Sequence, residues 1–273
     1  MKVSLIQVNS QSNKAANIVA ARELMERAIS EEHPDLLVLP ETFDFVGGTS
    51  AEKLRAAESV PGGPAYTMCQ EVAHTHSVFI HAGSVSERVP SEDKVHNTTV
   101  VFNRSGQEIA RYRKIHLFDV VTPGGQEYKE STTVKPGSTV VTYDLEGVTV
   151  GCSICYDVRF PELFQALVRK GAQIIAVPAC FTLQTGKDHW EVLCRARAIE
   201  TQTYILAAAQ WGSHTQGDQI RHSYGHSLIA DPWGHVIGMA SDGVGIVTAR
   251  IDPARIARVR QDFPIAQHKV LEG

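Results

Sequence analysis

The stretch 35-DLLVLPETF-43 decides how this chain folds. Four apolar residues, Leu36, Leu37, Val38 and Leu39, run without interruption, Pro40 closes the run, and a carboxylate, Glu41, follows at once. An unbroken apolar run suits a strand covered on both faces, because a strand half-exposed to water would alternate. Residues 2–8 read as an earlier strand, and 13–30 as an amphipathic helix with Ile18, Ala21, Met25 and Ile29 on one face. A second stretch, 173-QIIAVPACF-181, echoes the first: four apolar residues, Pro, two variable positions, Phe. Either the chain carries an internal pseudo-symmetry, or two ordinary buried strands each end at a proline. Under the first reading Glu41 and Ala179 stand at equivalent strand ends, and carboxyl ends of strands are where sites gather in α/β sheets.

Further along, strand-like segments cover 78–85, 98–103, 108–117, 148–154, 204–210, 226–234 and 245–252, with helix-like ones at 65–76, 161–170 and 189–202. Arg104-Ser105-Gly106 marks a hairpin. Strands and helices alternate early and strands dominate late, which predicts an α/β domain with stacked sheets and helices outside. No Ser/Gly-rich linker divides the 273 residues, so one domain is expected over 1–273. With 43% hydrophobic residues a large core is available, and a net charge of −4 leaves no polybasic field for nucleic acid or anionic membrane. The opening MKVSLIQVNSQSN turns polar at Gln7, too early for a signal peptide, and no later stretch approaches a membrane span. Five cysteines, an odd number widely spread, do not form a secreted disulfide framework, so a cytoplasmic setting is expected.

The cysteines in 151-GCSICYDVRFPEL-163 admit three readings. A redox C-x-x-C needs both sulfurs together at a helix N-terminus. Cys152, however, lies inside the apolar run, and side chains three apart on a strand point to opposite faces. Cys152 is therefore expected in the core and Cys155 free at the strand end. A zinc site needs a second ligand pair, yet Cys69, Cys180 and Cys194 are isolated, and HSYGH (222–226) lacks the Glu of a zinc-protease helix. The remaining reading is one nucleophile, Cys155, on a sharp strand-to-helix turn whose free N–H groups suit an oxyanion. Glu41 after its strand and Lys114 after 108-EIARYRK-114 are each unremarkable alone; with Cys155 they form a constellation of base, cation and nucleophile.

Three segments, LLVLPETF with Glu41, RYRKIHLFD with Lys114 and GCSICYDVRFPEL with Cys155, occur in an order that resembles the nitrilase, or carbon–nitrogen hydrolase, superfamily over essentially the whole chain. The resemblance implies a four-layer α-β-β-α sandwich, a Glu41-Lys114-Cys155 triad, no metal or organic cofactor, and a homodimer in which the tail from about 253 to 273 takes part. It further implies a supporting role for Glu130 in KESTTVKPG and an oxyanion contact from the Tyr156 backbone N–H. HWEVLCRARAIETQTYILAAAQ (189–210), SYGHSLIADPWG (223–234) and RQDFPIAQHK (260–269) look most like the deaminated-glutathione amidase branch, with ω-amidases next. Departures in VVTPGGQEYKES and at Cys180 and Cys194 fall near the expected substrate loops. Arg159, His189 and Phe181 are the expected substrate contacts, and the substrate expected is a small carboxylated amide. Alternatives are an ω-amidase, an N-carbamoyl amidohydrolase, a thiol-redox or metal-binding module built on Cys152 and Cys155, and a catalytically idle interaction protein.

Overall fold

A computed structural model describes residues 1–122 and 124–270. The first part of the chain forms β1 (Lys2–Gln7), α1 (Lys14–Glu32), β2 (Leu36–Val38), α2 (Ser50–Ala56), α3 (Pro64–His76), β3 (Phe79–His81), β4 (Val85–Arg88), β5 (Val95–Phe102) and β6 (Glu108–Arg113). A small hairpin, β7 (Asp119–Val121) and β8 (Glu127–Lys129), leads to β9 (Thr142–Leu145), β10 (Val148–Cys152), α4 (Pro161–Arg169), β11 (Ile174–Ala176), α5 (Leu183–Thr185), α6 (Glu191–Thr201) and β12 (Tyr204–Ala207). A second hairpin, β13 (Trp211–Gln216) and β14 (Gln219–Tyr224), precedes β15 (Leu228–Ala230), β16 (Val236–Met239), β17 (Gly245–Arg250) and α7 (Pro253–Asp262).

Two sheets result, ordered β17-β1-β2-β3-β5-β4, with β6 also on β5, and β16-β15-β12-β11-β10-β9. The echo in the sequence is matched in their topology. β1, β2 and β3 run parallel, as do β10, β11 and β12, and each triplet is flanked by antiparallel strands, β17 and β5 in one sheet, β9 and β15 in the other. β2 and β11, the two strands ended by proline, are the central members of the two triplets.

Period-two alternation sorts the side chains into layers. Val3, Leu5, Leu36 and Val38 share one core with Tyr143 and Val150 between the sheets, whereas Ile6, Leu37, Leu39 and Ile80 pack with Ala21 and Met25 of α1 and Met68 and Val72 of α3. On the second sheet Leu163, Phe164 and Leu167 of α4 and Cys194 and Ala198 of α6 join the core. Gly151 lets α4 pack close to the sheet: a Cβ there would lie 3.0 Å from the Leu167 side chain. The order of layers is helix, sheet, sheet, helix: the four-layer sandwich expected.

Several elements are shorter or more broken than the sequence reading. The strand in 35–43 stops at Val38, since Pro40 cannot continue the ladder. The 78–85 segment splits into β3 and β4, and the helix expected at 189–202 opens as a π-helical turn, Gly186–Trp190, before α6. Residues around His222, read as a loop entering a strand, are strand β14. In the tail, Ile256 and Val259 of α7 are buried, and 271–273, the end of the stretch assigned to a dimer contact, lie outside the described residues. Among the described residues no helix is long and apolar enough to cross a membrane.

Candidate active site

Leu39 N–H still donates to His81 O at 3.0 Å; Pro40 then ends the ladder, and the Glu41 carboxylate is delivered to the carboxyl ends of the sheets. Its Oε1 accepts from Lys114 Nζ at 2.9 Å and from Asn97 Nδ2 of β5 at 2.8 Å. Its Oε2 accepts from Cys180 N–H at 2.8 Å, a group one residue beyond Ala179, the equivalent strand end of the other sheet. Lys114 follows β6, where its N–H donates to Asn97 O and its carbonyl accepts from Gly137 N–H. A Cβ at Gly137 would sit 2.3 Å from Arg113 O, so only glycine lets that chain close on the lysine's backbone. Lys114 Nζ also donates to Glu130 at 2.9 and 3.2 Å, and Glu130 Oε2 accepts from Phe118 N–H at 2.7 Å. The ammonium thus bridges two carboxylates while 2% of its side chain is exposed.

Cys155 begins the turn after β10 with φ +49°, a left-handed conformation that typically costs a non-glycine residue about 1–3 kcal/mol. Neighbouring bonds hold it there. Its N–H donates to Pro178 O at 2.8 Å, Ser153 Oγ to Ala176 O at 2.8 Å, and Ile154 N–H to Asp157 Oδ2 at 2.8 Å. The buried Asp157 does more: Oδ2 accepts from Tyr112 OH at 2.6 Å, while Oδ1 accepts from His116 N–H at 3.1 Å and lies 2.7 Å from His116 Nδ1. Tyr112 and His116 flank Lys114 by two residues on either side, so one carboxylate ties the cysteine turn to the lysine segment. No acceptor is found for the Tyr156 N–H among the described residues. Cys152 is fully buried on the face between the sheets, and all five cysteines are free thiols.

The electrostatics follow from burial against charge. Burial pushes the Cys155 thiol well above its usual pKa and the Glu41 carboxylate beside it adds to this, with Lys114 opposing, so the resting group is a neutral thiol that needs a base. Burial would lower the Lys114 pKa, but the Glu130 and Glu41 carboxylates outweigh it and hold the ammonium well above the ordinary lysine value. For Glu130 burial acts upward, and Lys114 and Lys53 together bring its pKa below the ordinary carboxylate value.

These groups line a cavity of about 420 Å³ together with Tyr156, Phe181, Lys53 and Arg221. Glu41, Lys114 and Cys155, expected from the sequence as one constellation, and Glu130, expected from the family resemblance, line this one cavity. Phe181 also lines the cavity, but Arg159 and His189 do not. The Arg159 guanidinium lies over the Phe181 ring at 5.3 Å and faces His189 Nδ1 at 3.3 Å, so the two polar side chains satisfy each other outside the lining. Four contributors escaped the sequence reading. Asn97 and Asp157 gave no local signal. Lys53 and Arg221 sit on elements with readable signatures: Thr49 and Glu52 form a capping box at the start of α2, and Gly217-Asp218 is a two-residue turn between β13 and β14.

The chain matches the carbon–nitrogen hydrolase family over residues 2–261. It is 43% identical over 269 residues to the deaminated glutathione amidase of Synechocystis sp., covering 97% of this chain and 96% of that one. It is 35% identical over 274 residues to omega-amidase NIT3 of Saccharomyces cerevisiae, covering 98% and 93%. The crystal structure of the Caenorhabditis elegans NitFhit protein superposes with a TM-score of 0.91 at 36% identity; it covers 98% of this chain, which spans 65% of that longer protein.

Proposed function

The chain belongs to the carbon–nitrogen hydrolase family, and from that premise we propose that it is an amidohydrolase that cleaves deaminated glutathione to 2-oxoglutarate and Cys-Gly through a thioester on Cys155. The observation that carries this reading is the Lys114 ammonium, 2.9 Å from both Glu41 and Glu130 in a cavity that also holds the Cys155 thiol. Glu41 is the general base: it takes the Cys155 proton, and the thiolate attacks the amide carbonyl. An ammonium has three N–H donors for these two carboxylates, and the one on Glu130 Oε1, at 3.2 Å the longest of the three bonds, can turn to the developing oxyanion. The Tyr156 N–H is the second donor, and losing one such donor typically costs about 10²–10³ in rate. Protonated Glu41 then protonates the departing amine. Water, deprotonated by the same carboxylate, hydrolyses the thioester and releases the acid and the thiol. Glu130 keeps Lys114 charged and in place.

This reading carries with it one domain, a cytoplasmic setting and a homodimer that uses the tail from residue 253 onward. The exposed Trp233 and Phe263, packed edge to face with ring centroids 5.9 Å apart, support an apolar contact there.

Steady-state release of 2-oxoglutarate from deaminated glutathione tests the activity, with α-ketoglutaramate and an N-carbamoyl amino acid measured alongside. Higher kcat/KM on α-ketoglutaramate would move the assignment to an ω-amidase, the activity named for the yeast relative. Cys155→Ala should abolish turnover with the circular dichroism and Tm retained; a folded variant that keeps most of its turnover would sink the nucleophile.

A further inference from the structure

The cavity holds more positive charge than the hydrolytic steps use. Lys114 sits between Glu41 and Glu130, while Lys53 and Arg221 also line the wall, and among the described residues neither makes an ion pair or a side-chain hydrogen bond. Arg221 Nε and Nη1 are shut off from solvent and donate to nothing, while the guanidinium lies 4.2 Å over the Tyr128 ring of β8. Donors desolvated without a partner are costly, and a guanidinium fork fits a carboxylate. Such a group is completed by an anionic ligand.

The two cations come from different elements. Lys53 projects from α2 toward Glu130, within the group that surrounds the reacting atoms; burial lowers its pKa, and the Glu130 carboxylate opposes this. Arg221 projects from the β13–β14 hairpin beside β8, where its charge, after burial, helps push His214 down to about 4. The acyl half of the substrate stays bonded to Cys155 and so lies with Lys53 and Glu130, which leaves Arg221 for the amine half, the part that departs before water enters.

We propose that Lys53 and Arg221 form two separate carboxylate subsites, Lys53 for the acyl half and Arg221 for the leaving amine, which select amides that carry a carboxylate on each side of the scissile bond. The proposal rests on the amidase reading above and deepens it by naming what the pocket recognises. Both subsites lie in the binding cavity, so their removal should act mainly on KM.

The test compares kcat/KM on deaminated glutathione, which has a carboxylate in both halves, with α-ketoglutaramate, which has one in the acyl half alone. Arg221→Gln should lose about ten- to a hundredfold more on the first than on the second, the size of a charged hydrogen bond. Lys53→Met should lower both by a similar factor, and Arg221→Lys should recover part of the preference lost in Arg221→Gln. Circular dichroism and Tm identify any variant that misfolds, in which case the charge-conserving Arg221→Lys carries the comparison and should still show a selective rise in KM on deaminated glutathione. Equal losses on both amides for the Arg221 variants, or no loss, overturn the proposal. A parent enzyme that hydrolyses neither amide instead overturns the amidase reading, and that result is in hand before any variant is measured.

Discussion

At the scale of single residues, Cys152 and Cys155 show how far a strand's periodicity reaches. Strand periodicity assigns Cys152 to the core, while β10 ends at that residue, so the turn and not the strand orients Cys155. Cys152 is indeed fully buried, and Cys155, itself 6% exposed, opens onto the cavity. The left-handed φ of Cys155 was not legible, because nothing in the local residue pattern distinguishes it from an ordinary turn; the Cys155 N–H bond to Pro178 O, from elsewhere in the fold, holds it, together with the local bond from Ile154 N–H to Asp157. Cys152→Ser should leave kcat per folded molecule unchanged. The buried hydroxyl, short of a partner, should lower stability by about 1–3 kcal/mol, measured by denaturant unfolding. A large fall in kcat would restore a paired-thiol role.

At the scale of elements, the brace from Asp157 matters more than its place in the sequence suggests. It joins the turn that carries Cys155 to the segment from Tyr112 to His116 that carries Lys114, two pieces that share no strand. Asp157→Ala should therefore displace nucleophile and ammonium together, lowering kcat steeply and stability by about 3 kcal/mol or more, since several charge-assisted bonds are lost at once. Tyr112→Phe removes one donor and should cost about 1 kcal/mol with a smaller change in kcat. If the two variants behave alike, Asp157 is not a brace. The elements that carry Lys53 and Arg221 were hidden for a different reason. β13 and β14 carry only Trp211, Ile220 and Tyr224 as large apolar side chains, too few for the apolar alternation that marks a strand, and α2 buries no residue at all, leaving only its capping box as a trace.

At the scale of the molecule, the buried Lys114–Glu130 pair links stability to pH. Glu130 holds its proton more weakly folded than unfolded, so its contribution is complete above the ordinary value of 4.5 and is lost as pH falls through the lower folded value. Lys114 holds its proton more tightly folded, so its contribution is complete below 10.5 and is lost as pH rises through the higher folded value. The Tm difference between the protein and its Glu130→Gln variant should be flat across neutral pH and shrink as pH drops below 4.5. A gap that widens in acid would reverse the sign of the coupling.

By itself the sequence determined the parallel strands of both sheets and the helices α1, α3, α4 and α6, that 35-DLLVLPETF-43 and 173-QIIAVPACF-181 are alike, and that Glu41, Lys114 and Cys155 each follow a strand. These are matters of local backbone preference and of which side chains must leave water. Only the tertiary structure decided that the three ends meet, that Asn97 and Cys180 N–H hold the Glu41 carboxylate, and that the Arg159–His189 pair stays outside the cavity while Lys53 and Arg221 face it. Glu41 and Lys114 are 73 positions apart, and their 2.9 Å contact exists because β2 and β6 belong to one sheet whose carboxyl ends close against the other. That closure comes from burying the apolar faces of two sheets against each other, a long-range packing that no window of sequence contains.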